Sequence, residues 1–185
     1  MRNQLVAIEL STFDRHAPIV ESTAAHAERP LSWADEVATQ RFATRLATAQ
    51  AIGDAFITLQ GNLGAGKTTL VRHLLQALGV QGRIKSPTYA VVEAYTLPHL
   101  NAWHFDFYRF SDPREWEDAG FRDIFAGAGL KLVEWPDKAA TVLPLQDLDI
   151  TISSDLEGAR HVLVKAYTGR GNSLLTACVG DEDMA

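Results

Sequence analysis

The sequence predicts an α/β fold, a mixed parallel and antiparallel sheet flanked by helices, and three observations lead there. The first is the run Gly61-Asn62-Leu63-Gly64-Ala65-Gly66-Lys67-Thr68-Thr69, which fits G-x-x-x-x-G-K-[ST]. In such a loop backbone N–H groups wrap nucleotide phosphates, the lysine reaches the outer ones and the first hydroxyl ligates Mg²⁺. The second is its setting: Ala55-Phe56-Ile57-Thr58-Leu59-Gln60 before it is a short apolar strand, and after it Leu70, Leu74, Leu75 and Leu78 share one helical face until Gly79 stops the helix. The third is a set of later strand-like runs, four of them pairing as two hairpins beside the parallel unit.

Taken in order, residues 1–30 lack sustained periodicity and end in Glu28-Arg29-Pro30, which predicts a weakly ordered extension before a domain spanning 31–180. From Ser32 the pattern turns helical, with Trp33, Val37, Phe42 and Leu46 as one stripe and Asp35 and Glu36 in the first turn, where the helix dipole favours them. Gly53-Asp54 then leads into the first strand. After the phosphate loop and its helix comes Gly82-Arg83-Ile84-Lys85, then Ser86-Pro87-Thr88-Tyr89, extended or turned because a residue before proline resists helix.

Ala90–Tyr95 and Ala102–Arg109 predict an antiparallel hairpin turning near Pro98. In its second strand, alternation sends Trp103, Phe105 and Phe107 to one face and His104, Asp106 and Tyr108 to the other. Ser111-Asp112-Pro113 opens a helix that runs to Gly120, and Phe121–Phe125 adds a short helical turn. Leu130–Glu134 is an apolar strand closed by Trp135-Pro136. Asp149–Ser153 and Arg160–Tyr167 form a late hairpin around Glu157-Gly158, and a helix from Gly171 to Val179 precedes the polar tail 181–185.

At 185 residues with 46% apolar content the chain suits one domain with a proper core. Its net charge of −6 supplies no general electrostatic footprint for a nucleic-acid backbone, so any RNA role is expected to be indirect. The single cysteine, Cys178, excludes an internal disulfide or a multi-cysteine metal site and is expected as a small apolar residue of a C-terminal helix. No apolar run is long enough to span a bilayer, and Leu5-Val6-Ala7-Ile8 is too brief for a signal-peptide core, which predicts a cytoplasmic protein with no membrane role.

A phosphate loop of this kind needs a carboxylate near Mg²⁺ at the end of a neighbouring parallel strand. Glu134 is the first candidate, against the plainer possibility of an acid that merely ends a strand. Asp106 competes with it. Flanked by His104 and Tyr108, it could hold a metal-bound water, position the attacking water, or be a structural acid satisfied by Arg109 or a tyrosine. His104 alone is expected as a hydrogen-bonded core residue. Ser86, Thr88 and Tyr89 stand where such proteins place segments that sense the γ-phosphate. No Asn-Lys-x-Asp segment follows, so the expected ligands are ATP and Mg²⁺ rather than GTP.

GNLGAGKTT at 61–69, Ser86-Pro87-Thr88-Tyr89, His104-Phe105-Asp106-Phe107-Tyr108-Arg109 and Val133-Glu134-Trp135-Pro136, in this order, resemble the TsaE (YjeE) family across roughly residues 32–168. The resemblance implies a P-loop NTPase-like fold and an ATPase that supports formation of threonylcarbamoyladenosine in tRNA together with the TsaB and TsaD proteins, meeting tRNA only through them. It further implies that Lys67 holds the β and γ phosphates, Thr68 and Glu134 hold Mg²⁺, Asp106 acts near the water or metal, and Thr39 contacts the nucleotide. Two other classes share the loop. A small-molecule kinase would use Asp106 as base with Arg109, Arg114 or Arg122 steadying the phosphate, and a nucleotide-gated adapter would bind without hydrolysis.

Overall fold

In the computed structural model, which describes residues 25–111, 115–116, 119–155 and 158–180, seven strands form one sheet. They are β1 (Ala27–Trp33), β2 (Phe56–Gln60), β3 (Val92–Thr96), β4 (Asn101–Asp106), β5 (Leu130–Glu134), β6 (Leu148–Ser154) and β7 (Arg160–Ala166), in the order β1-β7-β6-β2-β5-β4-β3. The four central strands β6, β2, β5 and β4 run parallel. The edges are antiparallel, β7 and β1 on one side and β3 on the other. Both expected hairpins form. Glu157, at the tip of the later one, and residues 112–114 and 117–118 of the helix expected from Ser111 lie outside the described residues, as do residues 1–24 and the tail 181–185.

Helices α1 (Glu36–Thr48), α2 (Lys67–Ala77) and α4 (Gly169–Cys178) cover one face, and the short α3 (Phe121–Ala126) lies on the other. The first face is aliphatic, with Phe42 and Leu46 meeting Leu70, Leu74 and Leu174. The second is aromatic: Phe105 lies edge-on to Phe121 at 5.2 Å and Phe56 to Phe125 at 5.1 Å. The alternation along β4 is as expected, since Phe105 and Phe107 join the aromatic cluster, with Trp103 packed against it.

Two expectations are corrected. The boundary at residue 31 falls inside β1, where residues 27–30 of the expected extension pair with residues 163–166 of β7. The sheet edge supplies a ladder that no periodicity in those residues announces. The helix from Ser32 likewise starts later. Trp33 ends β1, and Asp35 caps α1 by accepting from Ala38 N at 2.9 Å, so the buried stripe becomes Ala38, Thr39, Phe42, Ala43 and Leu46 while Val37 faces solvent.

Candidate nucleotide site

The phosphate loop leaves β2 at the carboxyl end of the parallel strands, where open α/β sheets place their ligands. Gly61 turns the chain there with φ of 132°, and a Cβ on it would lie 2.1 Å from Ile152 O. Only glycine fits so close to the neighbouring strand. At the other end of the loop Gly66 (φ 109°) opens α2 with no side-chain cap, so the first-turn N–H groups of α2 remain available to an anion.

Side chains from helix α2 and from the two strands β4 and β5 converge on that point. Thr68 Oγ1 donates to Glu134 at 2.9 Å (Oε1) and 3.1 Å (Oε2), and His104 Nε2 meets the same Oε1 at 2.9 Å. Glu134 and His104 are both buried. Strand order produces this meeting: β5 lies between β2 and β4, and Asp106 stands opposite Glu134 in register. Asp106 is occupied differently. Its Oδ2 accepts the hydroxyls of Ser86 and Thr88, the latter at 2.6 Å, and its Oδ1 accepts Tyr108 N at 2.9 Å.

Lys67 Nζ donates to the carbonyls of Gly61 at 2.7 Å and Asn62 at 3.0 Å, and lies 4.0 Å from the centre of the Trp135 ring. Burial pushes its pKa below the ordinary lysine value, while the carboxylates of Glu134, Asp106 and Asp137 pull it back up. Trp135 reaches Lys67 because its own backbone is left-handed, with φ of 59°. Val91, the other non-glycine in that region among the described residues, accepts Asp106 N at 2.9 Å. Strained backbone thus flanks both acids.

A cleft of about 370 Å³ opens at this point. Leu63, Gly64, Gly66, Thr68 and Thr69 line it along with Lys67, Asp106 and Glu134. Thr39 does not: it is fully buried in α1, its hydroxyl 3.4 Å from Asp35 O. Of the arginines weighed for a kinase, Arg109 lines the cleft over the Tyr89 ring at 4.4 Å, Arg122 lines a different cavity, and Arg114 lies outside the described residues. Trp135 and Arg160 were not singled out. Trp135 was visible only as part of Val133-Glu134-Trp135-Pro136, and Arg160, whose Nε lies 2.8 Å from where a Cβ on Gly66 would stand, carries no local signal at all.

The donor set suits a hard cation. A hydroxyl and a carboxylate, held together and beside an uncapped helix N-terminus, are what Mg²⁺ shares with bound phosphates, and among the described residues no group of three or more His, Cys, Asp or Glu forms a dedicated metal cage. No helix of the described residues is long and apolar enough to cross a membrane.

Comparison with known proteins agrees with the geometry. The family model described as threonylcarbamoyl adenosine biosynthesis protein TsaE matches residues 33–162. The Haemophilus influenzae tRNA threonylcarbamoyladenosine biosynthesis protein TsaE is 43% identical over 122 residues, covering 65% of this chain and 76% of that protein. Its Bacillus subtilis counterpart is 35% identical, covering 66% and 74%. The crystal structure of Bacillus subtilis YdiB superposes with a TM-score of 0.67 at 26% identity, over 83% of this chain and 97% of that one. With its motifs, its fold and the family model in accord over most of its length, the chain belongs to the TsaE family.

Proposed function

We propose that this protein is a Mg²⁺-dependent ATP-binding and hydrolysing protein of the cytoplasm that supports formation of threonylcarbamoyladenosine in tRNA together with TsaB and TsaD, slow alone and stimulated by those partners. The observation that carries the proposal is the convergence of Lys67, Thr68 and Glu134 at the uncapped start of α2. Each has a definable task. The Lys67 ammonium, partly withdrawn from water, would trade the carbonyls of Gly61 and Asn62 for β and γ phosphate oxygens. Thr68 keeps lone pairs for the metal while its proton points at Glu134, and Glu134 brings the negative charge. Mg²⁺, when bound, neutralises charge on the phosphates as a Lewis acid.

Asp106 is the group to hold or orient a water, and for its Oδ2 to do so the hydroxyl of Ser86 or Thr88 must leave. That requirement supports a slow isolated protein. So does Arg109, whose Nη2 is engaged by the Tyr89 hydroxyl at 3.3 Å instead of pointing freely into the cleft. Positive charge added at the γ-phosphate is worth roughly 10³ to 10⁵ in rate in P-loop enzymes. The test is to titrate the TsaB–TsaD pair into the purified protein while following phosphate release and complex mass in ATP and in ADP. Partner-stimulated release with nucleotide-dependent association is expected. A rate and an association that both ignore the pair overturn the proposal, and a phosphorylated small acceptor in place of free phosphate would establish the kinase instead.

A further inference from the structure

Another cleft, of about 540 Å³, shares Ser86 with the first, and three cations line it: Arg72 on α2, and Arg83 and Lys85 on the loop that follows. Its lining contains no acidic residue, and none of the three makes an ion pair with a described residue. In a chain with 23 acidic against 17 basic residues, such a convergence is a local exception to the overall charge. The loop is built to present it. Ile84 is buried and its carbonyl accepts Arg72 Nε at 3.4 Å, so its neighbours Arg83 and Lys85 are left exposed on either side of that anchor.

Ser86 lines both clefts. Its hydroxyl is bonded to Asp106 and lies 2.6 Å from that of Thr88, the other hydroxyl on the same carboxylate oxygen. Lys85 is therefore the direct chain neighbour of Ser86, one of the groups that occupy Asp106, and Arg83 stands three residues before Ser86.

We propose that the Arg72–Arg83–Lys85 cleft docks an acidic segment of the partner protein, and that docking draws Ser86 away from Asp106 and frees that carboxylate for hydrolysis. The inference rests on the partner-stimulated ATPase described above. Charge decides between the two polyanions a basic cleft could take. An RNA strand needs a long track of phosphate contacts, whereas three cations confined to one cleft match a pair of carboxylates. An association of this kind is screened by salt.

The experiment compares the unaltered full chain with Arg83→Glu/Lys85→Glu, a reversal at two exposed side chains that touch no part of the nucleotide site. Unstimulated ATP hydrolysis, measured first, should agree within about twofold and so reports folding. Association with TsaB–TsaD, followed by calorimetry, should weaken at least about tenfold in the variant, with loss of the stimulated rate, and raising NaCl from about 0.05 to 0.5 M should weaken only the unaltered chain. Equal affinity and equal stimulation of the two chains overturn the cleft alone. If the unaltered chain binds the pair at no salt concentration, the functional proposal fails and the cleft with it. If unmodified tRNA binds the unaltered chain by itself and not the variant, the cleft takes RNA and the acidic-segment proposal is overturned.

Discussion

His104 Nε2 lies 2.9 Å from Glu134 Oε1, and the histidine is wholly buried. Glu134 is an acceptor, so Nε2 carries the proton, and Nδ1 is left without a partner. A buried polar atom left unpaired costs about 1–3 kcal/mol, which the fold tolerates at the one place where His104 can orient the carboxylate that faces Thr68.

His104 is thus a positioning residue, and groups of that kind change metal affinity by roughly 10- to 100-fold. His104→Leu should weaken Mg²⁺-dependent ATP binding by that order while leaving binding in EDTA nearly unchanged. His104→Gln, which restores a donor, should recover part of the loss. Calorimetry with and without Mg²⁺ checks both, and an equal loss in the two conditions would mean a general packing defect.

Lys67→Ala removes the ammonium that the loop holds at its mouth. Hydrolysis should fall by roughly a hundredfold or more, with weaker nucleotide binding. Unchanged phosphate release from the folded variant would contradict the site.

The two acids should separate. Glu134→Gln keeps shape and loses the charge beside Thr68, so the metal dependence of ATP binding should weaken; Asp106→Asn should spare binding and damage hydrolysis. Calorimetry paired with single-turnover kinetics decides, and the opposite pattern exchanges their roles.

The sheet edge sets where the chain can be shortened. A chain starting at Ala25 retains all of β1, and one starting at Leu31 loses the four pairs from Ala27 to Pro30. At about 1 kcal/mol net per ladder bond, the shorter chain should melt about 5 °C lower or more, and the longer one within about 2 °C of the full chain. Equal melting of all three would make that half of β1 dispensable.

Cys178 is fully buried, and burial pushes its thiol from 9.0 up to about 12. The neutral thiol is the stabilised form, so its contribution is present below pH 9.0 and is lost as pH rises toward about 12. At pH 8 a thiol reagent should label the native chain roughly a thousandfold more slowly than the unfolded one, in proportion to the thiolate present. Equal labelling rates would show that the C-terminal helix opens readily.

Local rules generate the strand, the phosphate loop and the alternation of β4, and these are legible in the sequence. Strand, phosphate loop and helix follow one another within a short segment, and the alternation of β4 assigns His104 and Asp106 to one face by a period of two. Sequence and structure part where two local signals overlap. Trp33 and Val37 fit a helical stripe with Phe42, yet Asp35 caps the helix after Trp33 has already joined the sheet.

The family is legible in the chain itself, since the glycines of the loop and the identities of Lys67, Thr68, Asp106 and Glu134 are written residue by residue. Which acid meets Thr68 is not. Glu134 stands 66 positions away in sequence, and only the order β2-β5-β4 brings it to the hydroxyl and sets Asp106 beside it under Ser86 and Thr88. The left-handed backbone at Trp135 lays its ring on Lys67, and the loop anchored at Ile84 brings Arg83 and Lys85 to Arg72 in one cleft. Strand order and loop anchoring depend on the sum of many weak burial terms across the whole sheet, and no short window of sequence contains that sum.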